Sequence, residues 1–209
     1  VGTLIAVEGL DGAGKRTLVD RVTARWEADG RRVATMAFPR YGRSVHADIA
    51  SEALHGEHGD LRSSASAMAM LFALDRRDAA DEIRDLLATV DVVLLDRYVA
   101  SNAAYTAARL DQSADGDAVA WVEALEFDRF GLPVPDRQVL LGTDPELARS
   151  RATSRAAGDS SRAMDAYERD TALQHATFAV YRSLAARSWR SPWTAITGSD
   201  DADVLAAQV

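Results

Sequence analysis

The chain has 209 residues, 47% of them hydrophobic, and a formal net charge of −8. That length and composition suit one domain with a core of its own and exclude wholesale disorder. The acidic balance excludes a general nucleic-acid binder, which needs a basic surface, and the absence of cysteine excludes disulfides, thiolate metal sites and thiol nucleophiles. Of the 24 basic residues one, Lys15, is lysine and the rest are arginine. No apolar run approaches the roughly 20 residues of a membrane span. The first residues enter an apolar run without a basic leader, so a cytoplasmic protein is expected.

Taken in chain order, short apolar runs alternate with segments of helical spacing. Strands are expected at Thr3 to Val7, Val33 to Phe38, Val92 to Leu95, Gln138 to Leu141 and, more weakly, Thr194 to Thr197. Such runs lack strict alternation, which suggests strands covered on both faces, and strand–helix alternation implies a parallel sheet flanked by helices. Gly30 should stop the first helix, and Gly131 with Pro133 the one through Trp121, Leu125 and Phe130. Thr143 and Glu146 have capping-box spacing, with Pro145 in the first turn. Arg155 to Arg162 is polar and small, the composition of a loop between two helices. No repeat or linker interrupts the chain, so residues 1–209 are expected to form a single domain with a lid at about 151–163.

The sharpest signal is Gly9 to Thr17, GLDGAGKRT. It holds G-x-x-x-x-G-K directly after an expected strand and directly before a helical pattern, the context of a phosphate-binding loop. Backbone N–H groups around Gly9, Asp11, Gly12, Ala13 and Gly14 would cradle ATP phosphates, and the following helix would add its N-terminus. Lys15 supplies a point charge. The spacing is not that of a dinucleotide fold. A guanine-reading Asn-Lys-x-Asp motif cannot exist, because the one lysine is already spent. The residue after the lysine should be Ser or Thr, to bind Mg²⁺. Here it is Arg16, with Thr17 next. The metal is therefore expected away from that place, on carboxylates: Asp96 first, with Asp11, Asp165 and Glu168 as neighbours.

Further groups sit where a second substrate would be read. Asp96 and Arg97 end a buried strand, and ligands of open α/β sheets bind beyond such ends. Asp96 could hold Mg²⁺ through water, and Arg97 could clamp a phosphate with two parallel donors. Phe72 and Arg76 share a helix face, as do Asn102 and Tyr105. An aromatic plane beside a forked donor suits a pyrimidine base. Phe38, Pro39, Arg40 and Tyr41 follow the second strand, where an acceptor loop belongs. Arg151 and Arg155 share a face and Arg162 closes the polar stretch, an arrangement suited to a closing lid. Each pair alone also fits a plainer role: a core phenylalanine, a surface ion pair, a solvated basic face. The histidines show no metal spacing.

Glu8 to Thr17 (EGLDGAGKRT), Phe38-Pro39-Arg40-Tyr41, Asp96-Arg97-Tyr98 and the Arg-rich segment before Tyr167-Glu168 together resemble the bacterial thymidylate kinase family over nearly the whole chain. The resemblance implies a P-loop kinase fold, an α/β architecture with a five-stranded parallel sheet. It implies phosphorylation of dTMP with ATP and Mg²⁺, and a homodimer. It implies a thymine site at Phe72 and Arg76. Asn102 and Tyr105 would contact the base and crowd the sugar's 2′ position, with Asp11, Phe38, Pro39, Tyr41, Arg97 and Tyr167 around the acceptor. The catalytic charge would come from Lys15, Arg16, Arg97 and the lid arginines Arg151, Arg155 and Arg162, because Gly12 and Ala13 stand where some relatives carry an arginine. Two alternatives stay open: a deoxynucleoside kinase with Glu8 as base, and a nucleotide-regulated binding module without turnover.

Overall fold

The computed structural model describes residues 2–158, 165–198 and 205. Among these, five strands form one parallel sheet: β1 (Thr3–Glu8), β2 (Val33–Ala37), β3 (Val92–Asp96), β4 (Arg137–Leu141) and β5 (Trp193–Ile196). Their order is β2-β3-β1-β4-β5, so the first strand lies at the centre. Its register pairs Val7 with Asp96 on one side and with Val139 on the other. The helices are α1 (Lys15–Ala28), α2 (Val45–Leu54), α3 (Ala65–Asp78), α4 (Ala80–Thr89), α5 (Val99–Arg109), α6 (Asp117–Glu123), α7 (Pro145–Gly158), α8 (Ala166–Arg169) and α9 (Thr171–Ala186). A π-helical turn, Ala124–Arg129, continues α6.

Successive strand residues point to opposite faces, which divides the core in two. Leu4, Ala6, Val93 and Leu95 pack with α5, α6 and α9 through Ala103, Val122 and Tyr181. Ile5, Val7, Val92 and Leu94 pack with α1 through Leu18, Val22 and Trp26. Burial on both faces holds for β1, β3 and β4, as their apolar runs suggest. It does not hold for β2 and β5, which are edge strands and stay partly exposed.

Helix ends follow local chemistry. Gly30 lies just past α1 at φ 82°, and Gly131 follows the π turn at φ 64°, both in the left-handed region that glycine adopts without steric cost. The expected cap of α7 is corrected. Asp144, not Thr143, accepts the N–H groups of Glu146 (2.9 Å) and Leu147 (3.4 Å). The Thr143 hydroxyl donates instead to the Ala13 carbonyl at 2.9 Å, which ties the end of β4 to the phosphate loop. The expected loop at Arg155 to Arg162 is also revised at its start, because α7 continues to Gly158.

Helix α7 rests on the phosphate loop through the smallest side chains available. Ala148 and Ala152 are buried there, and a Cβ built on Gly12 would stand 2.0 Å from the Ala148 carbonyl oxygen. Gly12 also has φ 79°, so a side chain is excluded both by space and by backbone conformation. Gly12→Ala should therefore push α7 off the loop and cost about 1–3 kcal/mol from the backbone alone. A denaturant titration checks this, and a midpoint equal to that of the parent chain would show that the contact yields freely.

Candidate active site

The carboxyl ends of β1, β2 and β3 open into one cleft of about 920 Å³. Its floor begins at the phosphate loop. Gly14, at φ 102°, serves as N-cap of α1, so the helix starts directly on Lys15. The Lys15 ammonium is buried and donates to the carbonyls of Gly9 (3.1 Å) and Leu10 (2.8 Å). Burial and the nearby Arg97 pull it down to about 8, against the opposing pull of Asp11, Asp96 and Glu8. Arg16 and Thr17 are exposed on the first turn and line the cleft with Asp11, Gly12 and Gly14. Ala13 does not line it. Its N–H donates to the Leu10 carbonyl at 3.2 Å and its side chain joins the core, which corrects the expectation that it serves the phosphates. Gly9 is buried beneath the loop and contributes a carbonyl to Lys15.

Arg97 stands at the centre. Its backbone lies at φ 68°, uncommon for a residue with a side chain, and its N–H donates to the Val7 carbonyl at 2.8 Å. Nη2 pairs with Asp11 at 2.6 Å, and Nη1 donates to the Ser101 hydroxyl at 3.1 Å. The Tyr105 hydroxyl donates to the other Asp11 oxygen at 3.0 Å. Burial would raise the Asp11 carboxyl, but Arg97, Lys15 and the Tyr105 hydroxyl hold it at about 2. Behind them Glu8 is fully buried and accepts from the Tyr98 amide (2.8 Å), the Ser101 hydroxyl (2.6 Å) and the Tyr181 hydroxyl (3.1 Å). Burial pushes the Glu8 carboxyl up. Glu8 does not line the cleft, which removes the candidate base of a deoxynucleoside kinase.

The far end of the cleft is lined by Phe38, Pro39, Tyr41, Phe72, Arg76, Asn102, Tyr105 and Tyr167. Arg40 turns inward and pairs with the buried Asp75 at 2.8 Å, pinning the Phe38–Tyr41 loop to α3. Arg76 is buried and pairs with Glu126 through Nε (2.5 Å) and Nη2 (2.7 Å); its Nη1 has no hydrogen bond to any described residue. Burial opposes the Arg76 charge, and Glu126 more than restores it. The Asn102 amide is committed, donating to the Ala69 carbonyl (3.0 Å) and to Glu126 (2.7 Å). Asn102 thus lines the cleft with both amide hydrogens committed, which leaves its amide oxygen and its bulk to meet a ligand. Tyr105 and Tyr167 stack with centroids 6.0 Å apart, and Arg109 lies over the Tyr167 ring at 4.9 Å.

The carboxylates expected to bind metal divide. Asp96 lines the cleft between Lys15 and Arg97, and no described residue pairs with its side chain. Asp11 is held by Arg97 and Tyr105. Asp165 and Glu168 form the capping box of α8: Asp165 accepts from Tyr167 (2.7 Å) and Glu168 (2.9 Å), and Glu168 accepts from Asp165 (3.1 Å). Both also line the cleft, so their spacing serves a helix end at its edge. No three of these four bring ligand atoms together; among the described residues only Glu52, Glu57 and His58, near the end of α2, do so. One free carboxylate beside a phosphate loop fits Mg²⁺, which uses one or two carboxylates with substrate phosphates and water. Arg151 lines the cleft with its Nη1 4.0 Å from where a Cβ on Gly14 would stand. The Arg155 side chain and Arg162 lie outside the described residues.

Several residues of the cleft were not expected from sequence. Ser51 and Leu54 of α2, with its C-cap His55, line it at helical spacing, and Ser101 lines it and accepts from Arg97; Gln174, outside the lining, donates to the Tyr167 carbonyl at 2.9 Å. Only the first group carried a periodic signal, and nothing in that signal said what α2 faces.

The chain matches the family model "Thymidylate kinase" over residues 7–190. It is 59% identical to the thymidylate kinase of Mycobacterium tuberculosis over 204 residues, which covers 98% of this chain and 95% of that protein. It is 35% identical to the thymidylate kinase of Bifidobacterium longum over 152 residues, 72% of this chain and 71% of that one. The phosphate loop, the Asp96-Arg97 strand end and the second half of the cleft all fall within residues 7–190, and the chain belongs to the thymidylate kinase family.

Proposed function

We propose that this chain transfers the γ-phosphoryl group of ATP to the 5′-phosphate of dTMP, giving dTDP and ADP. One observation supports this most: a single cleft joins the Lys15 loop to the Phe72 and Arg76 end, with Arg97 at the junction. A binding module that only senses nucleotide needs no second half. The related proteins named above are thymidylate kinases.

In this reading ATP lies with its β- and γ-phosphates over Lys15 and the N-terminus of α1. The dTMP base stacks on Phe72 and receives a hydrogen bond from Arg76 Nη1. An oxygen of the dTMP phosphate attacks the γ-phosphorus in line. The bond from that phosphorus to the bridging β-oxygen breaks, and ADP leaves with the electron pair. No proton has to be removed, because the acceptor is already an anion. Catalysis is then positioning and charge stabilisation. Arg97 meets the acceptor phosphate, Arg16 bridges donor and acceptor oxygens, and Arg151, Arg155 and Arg162 close from the lid. Asp96 would hold Mg²⁺, with Asp11 beyond it, and the ion when bound neutralises phosphate charge. Residues 1–209 act as one kinase domain. No described helix is long and apolar enough to cross a membrane, which accords with work in the cytoplasm. The family resemblance supports a homodimer.

The direct test is ADP release with dTMP, dUMP, UMP, dCMP and thymidine as acceptors. dTMP should turn over fastest, and thymidine, which lacks the attacking phosphate, should not react. Turnover of thymidine but not dTMP would overturn the assignment.

The buried Lys15 gives a pH signature. Its ammonium titrates at about 8, so the free enzyme loses its phosphate-loop charge as pH rises through that value. kcat/KM for ATP, which reports the free enzyme, should fall above about 8. Lys15→Arg, charged throughout, should be slower but lack this alkaline limb; a limb that persists in the variant assigns it elsewhere.

The departure at Arg16 gives a metal signature. Asp96→Asn should raise the Mg²⁺ concentration needed for half-maximal rate. Arg16→Ser should lower the maximal rate although it restores the commoner loop sequence. Full activity of Arg16→Ser at reduced Mg²⁺ would show that the ion belongs at the loop after all.

A further inference from the structure

The base-reading end of the cleft depends on a carboxylate that does not line it. Glu126 is fully buried and sits behind Arg76 and Asn102. Its Oε2 accepts from Arg76 Nε at 2.5 Å, and its Oε1 from Arg76 Nη2 at 2.7 Å and from Asn102 Nδ2 at 2.7 Å. The second Asn102 amide hydrogen goes to the Ala69 carbonyl, in the same helix as Arg76. One side chain from the π turn thus locks one from α3 and one from α5.

The backbone explains how Glu126 arrives there. Leu125, Glu126 and Phe127 are consecutive and all buried. In an α-helix, with 3.6 residues per turn, three neighbours spread over more than half the circumference and cannot all face one core. The wider π turn Ala124–Arg129 gathers them on a narrower arc, and such turns recur at functional sites. The choice of residue is also informative. A buried ion pair is no more stabilising than apolar groups of the same shape, and is often less so. An Arg–Glu pair whose arginine borders a cleft is better suited to holding a direction than to adding stability.

We infer that Glu126 is a positioning residue for the acceptor base: it fixes the plane of the Arg76 guanidinium so that the unpaired Nη1 edge is the one left for a base carbonyl. A bidentate pair sets that plane, whereas a single hydrogen bond would let the group rotate. This rests on the reading of the Phe72 and Arg76 end as the dTMP base site.

The test is Glu126→Gln, which keeps the shape and turns one acceptor into a donor facing Arg76 or Asn102. KM for dTMP should rise roughly tenfold or more, the range for a hydrogen bond from a charged group, while kcat and KM for ATP stay within about twofold. In an Arg76→Met background the same substitution should change KM for dTMP by less than about twofold, because Glu126 acts through Arg76. If Glu126→Gln does not fold, Arg76→Met is compared with Arg76→Met/Glu126→Met, an apolar pair that suits the buried space, and equal KM values are expected. An unchanged KM for dTMP in folded Glu126→Gln overturns the inference, as does a further rise in the Arg76→Met background. Loss of kcat alone would mark a merely structural role and overturn it too. An unmodified chain inactive on dTMP would overturn the acceptor reading itself.

Discussion

The ion pair between Asp11 and Arg97 joins two segments 86 residues apart and sets the geometry of everything around it. Asp11 belongs to the phosphate loop and Arg97 to the end of β3. Parallel pairing of β1 with β3, Val7 opposite Asp96, brings the two loops out of the sheet side by side. Neither charge is well solvated: the Arg97 side chain is 12% exposed and that of Asp11 34%. Each therefore needs the other, because a half-buried charge without a partner costs more than the pair gains. Arg97 also repels the Lys15 ammonium while Asp11 attracts it, so the pair helps to set the charge state of the phosphate loop before any nucleotide arrives.

The support beneath this pair is a helix cap supplied from another element. Helix α5 starts after Tyr98 with no side-chain cap of its own. Glu8, at the end of the central strand, accepts the Tyr98 N–H and the Ser101 hydroxyl in the first turn of α5. A buried carboxylate against a helix N-terminus satisfies orphan donors and favours negative charge there. The same Ser101 hydroxyl accepts from Arg97, so a chain of contacts runs from the core to the cleft surface. Glu8 thus resembles a catalytic carboxylate in sequence and acts as a cap in space.

That contrast shows what was legible in the sequence. The five strands were, because each is a short apolar run and the three central ones are covered on both faces. The phosphate loop was, because its glycines and lysine are contiguous and local backbone geometry alone brings them together. Phe72 and Arg76 reached the cleft because helical spacing fixes a shared face. Asn102 reached the cleft, but its partners were not legible. Its donors are spent on Ala69 and Glu126, and no spacing rule reports a partner 24 residues away. Asp165 and Glu168 reached the cleft edge, but their capping role was not read, because a capping box and a ligand pair have the same spacing. Glu126 carried no signal, because its burial depends on a π turn that breaks the period by which helices are read.

The chain is acidic as a whole, while the cleft lining is balanced: Lys15, Arg16, Arg76, Arg97 and Arg151 face Asp11, Asp20, Asp96, Asp165 and Glu168. Arg40, Arg76 and Arg97 each meet a carboxylate, from Asp75, Glu126 and Asp11 respectively. These pairs neutralise part of the charge and fix the direction of each guanidinium. Arg16 and Arg151, by contrast, are exposed at the rim beside the phosphate loop. The cleft therefore has oriented donors within and exposed charge at its edge. Paired arginines present forks that are already aligned; those at the rim keep theirs toward solvent. One residue type thus takes two forms around the same cleft, held or open, and the presence of a carboxylate partner decides which.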